Sequence, residues 1–113
     1  MTELPPSEIL DCYEHLTQVT ARMREAAARD EWDRVIALDS ECAPVYSRLL
    51  TSKEAGPVDE QYQTRKAELI CKVLEHDAEI RERISGQLTH IWQLIHGRAR
   101  MQQLSSAYSE HRE

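Results

Sequence analysis

The chain has 113 residues, 41% apolar and 30% charged, with a formal net charge of −6. That length fits one domain, 1–113, with one core, and the composition is too apolar for a disordered chain. An acidic chain without a long Lys/Arg run repels phosphates, which argues against direct nucleic-acid binding, and no apolar stretch is long enough to span a membrane.

Only 3 Gly and 4 Pro punctuate the chain, so helices are favoured over the many turns that a sheet needs. Met1–Pro6 is neither basic nor followed by an apolar run, so no signal peptide is expected. The first helix is predicted from Ser7, its cap, to Arg29. Ile9, Cys12, Tyr13, Leu16, Val19, Met23, Ala26 and Ala27 form its apolar stripe. Asp30 is predicted to cap a second helix, Trp32 to Thr51, with Trp32, Val35, Ile36, Asp39, Cys42, Tyr46, Leu49 and Leu50 as its stripe. Pro44 predicts a kink or a restart near Ala43. Residues 51–60 read as loop around Gly56-Pro57.

A third helix is predicted from Val58 or Asp59 to His96, roughly 37 residues or ~55 Å if straight. Its seam is Ala67, Ile70, Val73, Leu74, Asp77, Ile80, Ile84, Leu88, Ile91, Leu94 and Ile95, the near-heptad spacing of packed antiparallel helices. Gly86 marks a close helix contact, a bend, or neither. Gly97 ends this helix. A short fourth helix follows from Arg98 to about Ser109, with Met101, Leu104, Ala107 and Tyr108 on one face. At roughly 12 residues it is too short to be stable alone and must dock on its own domain or on a partner. The fold class is therefore all-α: an antiparallel bundle of three helices, the third long, plus a short C-terminal helix.

No nucleotide-binding, hydrolase or zinc-protease motif occurs, and no acid–base pair or nucleophile is positioned by spacing. No catalytic residue, cofactor or metal site is expected, and the protein is not expected to be an enzyme. His90 and His96 lie on different helix faces, and the five histidines read as solvated or capping groups. Cys12, Cys42 and Cys71 read as buried, reduced thiols. Asp77 interrupts the apolar seam. It reads as a structural carboxylate paired with a Tyr, Trp or Arg across the bundle, or as a polar fixture that sets register or meets a partner; Glu79 and Arg81 are placed on other faces. Trp32 reads as core. Trp92, at the edge of the seam, reads as rim packing or as an aromatic anchor for a partner.

Three segments carry a family resemblance. Leu74-Glu75-His76-Asp77-Ala78-Glu79-Ile80-Arg81, continuing through Ile84, Leu88, Ile91, Leu94 and Ile95, resembles the long third helix of the flagellar export chaperone FliT. Glu31-Trp32-Asp33, with Glu41 further on, resembles that family's second-helix opening, and Leu104-Ser105-Ser106-Ala107-Tyr108 resembles its short terminal helix. Pro44, Arg98 and Arg100 depart from the pattern. The resemblance implies a cytoplasmic chaperone that holds the C-terminal helical segment of the filament-cap protein until export. It also implies contacts with the export ATPase, its stalk protein and the export gate, and in some relatives with the master transcription regulator of flagellar genes.

Cargo capture is then expected in an apolar groove between the second and third helices. Its candidate residues are Val35, Ile36, Tyr46, Ile84, Leu88, Ile91, Trp92, Leu94 and Ile95. Residues 98–113 form a detachable regulatory segment, with Met101, Leu104 and Tyr108 closing the groove in the free state, and Asp77 as the structural polar residue. The alternative is a non-enzymatic helical adaptor that forms a homodimer through its third helix.

Overall fold

The structure, a computed structural model, describes residues 2–56, 58–84 and 104–108. In chain order the elements are β1 (Thr2–Leu4), α1 (Pro6–Ala28), α2 (Trp32–Leu50), β2 (Ser52–Glu54) and α3 (Glu60–Glu82). A further helical turn covers 104–108. The fold is mostly helical, as the stripes require.

Three helix boundaries differ from the sequence reading. α1 begins at Pro6, with Pro5 as its cap residue and no side-chain cap, so Ser7 lies inside the first turn. Proline suits this start because its φ is already helical and it has no N–H to satisfy. The Pro5 carbonyl accepts from the N–H groups of Glu8 and Ile9 at 3.0 and 3.2 Å.

Asp30 does not cap α2; it ends α1. Its φ is +59°, and the Asp30 N–H donates to the Ala27 carbonyl while the Glu31 N–H donates to that of Ala26. This is a Schellman closure with an aspartate in the left-handed position that glycine usually takes. α2 then starts at Trp32 without a side-chain cap. α3, by contrast, has an acidic cap: Asp59 Oδ1 accepts from the Tyr62 N–H at 2.8 Å.

Pro44 produces no restart, since α2 is one helix from Trp32 to Leu50. The carbonyl that Pro44 leaves without an intrahelical donor is that of Ser40, and both residues are exposed, so water can serve it. α3 ends at Glu82, with Arg83 as its cap, short of the expected His96; residues beyond Ile84 in that span lie outside the described ones. Ser85 and Gly86, which come next in sequence, are poor helix formers.

The predicted loop contains β2, which pairs in parallel with β1 through Thr2↔Ser52, Glu3↔Lys53 and Leu4↔Glu54. The parallel sense follows from the helices. Glu8 pairs with Arg48, so α1 and α2 run in opposite directions. Glu14 pairs with Arg65 and Arg24 with Glu79, so α1 and α3 run the same way. β1 leads into α1 and β2 into α3, and the two strands therefore enter side by side. Leu4, buried, and the Ala55 N–H bond to the Leu4 carbonyl, 2.9 Å, fix this ribbon to the end of the bundle.

The buried cluster runs along α1 through Ile9, Leu16, Val19 and Met23, and takes in Val35 and Cys42 from α2 and Ile70, Val73 and Ile80 from α3. Cys12 and Cys42 are buried as expected, whereas Cys71 is half-exposed.

The left-handed Asp30 gives a direct test. Asp30→Gly removes the steric penalty of a Cβ at positive φ and should raise stability by roughly 0.5–1 kcal/mol in urea unfolding. An unchanged or lower midpoint would show that this turn does not need a glycine-like conformation.

Candidate functional site

α1 buries two lines of side chains. One faces α2, where Arg48 approaches the Cys12 sulfur at 4.0 Å. The other faces α3, where Thr20 meets His76 at 2.9 Å. Cys12 and Thr20 are eight residues apart, about 80° around the helix. Two helices docked about 80° apart on a third, each roughly 8–10 Å from it, have axes roughly 10–13 Å from one another. α2 and α3 accordingly pack on α1 and barely meet.

α2 and α3 each carry a seam with heptad spacing. On α2 the seam is Val35, Asp39, Cys42 and Tyr46; on α3 it is Lys66, Ile70, Val73 and Asp77. All eight are buried, although the two helices hardly touch. Leu104, only 3% exposed, belongs to the same buried cluster, and Ala107 and Tyr108 pack half-buried against it.

The polar groups of the site are individually placed. Asp77 is 2% exposed, and its Oδ2 lies 2.8 Å from Arg81 Nε one turn along the same helix. Arg81 is therefore on the same face as Asp77, as i,i+4 geometry dictates, and not on the separate face assigned from sequence. Lys66 Nζ reaches Glu54 Oε2 of β2 at 3.6 Å and stands 5.9 Å over the Tyr62 ring. Burial and the neighbouring Glu54 carboxylate push the Tyr62 phenol well above its ordinary value. Burial also pushes the Cys12 thiol up despite the Arg48 guanidinium, which leaves it protonated and inert.

His76 was read as solvated and is in fact buried between α3 and α1. The single hydroxyl hydrogen of Thr20 is directed to the Leu16 carbonyl at 2.7 Å. His76 Nδ1 must then be the donor to Thr20 Oγ1, which fixes the neutral tautomer. Burial, reinforced by Arg24, lowers its pKa below the ordinary histidine value. The sequence held a signal for this placement: Leu69, Val73, His76 and Ile80 recur at helical spacing. Asp39 and Lys66 were also missed as site residues, because a charged side chain at a seam position looks like an interruption.

Of the residues proposed from sequence, Val35 and Tyr46 lie in the α2 seam as buried core. Ile36 is 45% exposed on α2, off the buried seam. Ile84 packs half-buried at the end of α3. Leu88, Ile91, Trp92, Leu94, Ile95 and Met101 lie outside the described residues. Among the described residues no group of three or more His, Cys, Asp or Glu side chains could hold a metal ion, and no helix is long and apolar enough to cross a membrane.

The family described as flagellar protein FliT matches residues 10–110. The chain belongs to that family. The match begins within α1 and takes in α2, α3 and the turn at 104–108, so both seams lie within the matched residues. No curated protein and no solved structure matches the chain. Membership places the chain in a flagellar chaperone family.

The buried histidine sets a pH dependence for this FliT chain. Because the folded-state pKa is lowered, the unfolded chain takes up the proton first as pH falls through about 6.5. Stability is thus full above that pH and declines below it, by at most about 1.4 kcal/mol per pH unit. Urea midpoints at pH 7.5 and 5.5 should show this fall. His76→Asn keeps a donor for Thr20 without titrating, and its fall should be smaller. Equal falls in the two proteins would assign the effect to other groups.

Proposed function

We propose that the protein is a cytoplasmic chaperone of flagellar type III export that holds the C-terminal helical segment of the filament-cap protein in the groove between α2 and α3. The observation that carries this reading is that α2 and α3 each bury a seam while making few contacts with one another, and that Leu104 is buried in the same cluster. A groove of this form accepts one more amphipathic helix. In the free chain the terminal residues Leu104–Tyr108, with Met101, fill it as a lid, and a cargo helix takes their place. Delivery then involves the export ATPase, its stalk protein and the export gate, and in a regulatory role the master transcription regulator of flagellar genes. The chemistry is binding alone, without catalysis or cofactor.

A homodimer through α3 is the alternative. Ala67, Cys71, Leu74 and Ala78 recur on α3 at heptad spacing and are half-exposed, which is what a helix-on-helix contact between copies needs. Sedimentation over a hundredfold dilution decides it. The adaptor reading requires a dimer that persists, while the chaperone reading stands with a monomer.

A competing lid lowers apparent cargo affinity by the fraction of time that the groove is closed. Leu104→Ala removes the buried anchor of the lid, and each 1.4 kcal/mol lost from its docking is worth about tenfold in binding. Titration calorimetry with a peptide of the cap protein's C-terminal segment should show binding about tenfold tighter or more to Leu104→Ala than to the wild type. Equal affinity would show that Leu104 does not guard the groove, and weaker binding would make it part of the cargo site.

A further inference from the structure

A recess opens on the flank of the α1–α2 contact that faces away from α3. Asp11 and His15 lie about 100° and 60° around α1 from Cys12, in the sense opposite to Thr20. Together with Cys12, and with Pro44, Val45 and Arg48 of α2, they line a cavity of about 330 Å³. Cys12 is buried and Val45 half-buried, whereas Asp11, His15, Pro44 and Arg48 are exposed. The cavity therefore has an apolar floor and a polar, open rim. Its volume is at the small end of the ~300–1,000 Å³ range of ligand pockets, and an open recess cannot enclose most of a free small molecule. It suits one side chain whose backbone stays outside, which points to a residue of another protein.

The rim specifies the charge of that side chain. Arg48 is already engaged: its Nη2 lies 3.3 Å from Glu8 Oε2, and its Nη1 lies 4.0 Å from the Cys12 sulfur. Asp11, by contrast, makes no ion pair among the described residues. Two carboxylates, Glu8 and Asp11, thus stand against one guanidinium, with His15 one turn along α1 from Asp11. The backbone adds a further acceptor. Pro44 has no N–H, and the Ser40 carbonyl, which lacks that donor, points along α2 toward the proline ring. A cationic side chain with an apolar stem and several donors complements this set. Arginine does so better than lysine, because its fork can reach a carboxylate and a carbonyl together while its methylenes cover Val45 and Pro44. We propose that this recess docks an arginine side chain of a partner protein and that Asp11 selects its charge. The site lies apart from the seams of α2 and α3 and does not depend on the cargo reading.

The test uses the full chain, labelled with nitrogen-15, and N-acetyl-arginine amide as the probe. Amide signals of Asp11, Cys12, His15, Val45 and Arg48 should shift and saturate with a dissociation constant on the order of 1 mM, the scale that a ligand of this size reaches. No shift at these residues would overturn the proposal. N-acetyl-citrulline amide has the same shape without the charge and should shift them far less; equal binding would show that charge is not read. Asp11→Asn, at an exposed position, should weaken arginine binding about threefold, and unchanged affinity would remove Asp11 from the site. Asp33→Asn, elsewhere on the exposed surface of α2, should leave binding unchanged; an equal loss there would reduce the effect to general attraction by an acidic surface. Free arginine should bind no more tightly than the blocked amide. Tighter binding would make the amino acid itself the ligand and overturn the assignment to a partner protein.

Discussion

The structure depends on one helix having to satisfy two partners. α1 buries an arc wide enough for two neighbours, with Cys12 on the α2 side and Thr20 on the α3 side. Had those lines been closer together, α2 and α3 would have met and closed a three-helix core. Their separation leaves α2 and α3 with few contacts to one another. The parallel ribbon of β1 and β2 is a consequence of the same layout, since it joins the entry points of the two helices that run in the same direction.

Polar contacts set the register of this arrangement more than its stability. Arg24–Glu79 and Glu14–Arg65 join α1 to α3 across half-exposed surface, where such pairs contribute about 0.2–1 kcal/mol each. Thr20 and His76 lie between them and are buried, so a slip of one residue along the interface would strand an imidazole donor in the core. That penalty, about 1–3 kcal/mol for an unsatisfied buried group, makes the register unique where apolar contacts alone would tolerate several. Asp39, Lys66 and Asp77 are buried charges at seam positions of α2 and α3. A bundle optimised only for stability would hold apolar residues there.

The separate layers of the sequence were legible to different degrees. The stripe of α1 was readable residue by residue, because periodicity reports which side chains share a face. The family was readable from three segments in order. The α1–α2 corner was misread because Asp30 is both a good helix cap and a tolerable left-handed residue, and the sequence does not say which neighbour claims it. Pro44 was misread because its cost depends on whether the carbonyl it orphans faces water, which is a matter of exposure. His76 was misread because a histidine on a stripe is buried only if a partner such as Thr20 stands opposite, 56 positions away.

The sequence by itself therefore determined that this chain is helical, that its first helix presents a broad apolar face, and that it is a FliT protein. These properties are local, or are carried by the order of residues along one chain. Only the tertiary structure decided that α2 and α3 both pack on α1 with few contacts between them, that Ile36 is exposed and that Asp39 is buried. It also decided that Leu104 is buried with the core. Each of these is set by the angle at which one helix surface meets another, and that angle arises from packing between residues far apart in the chain, where periodicity carries no information.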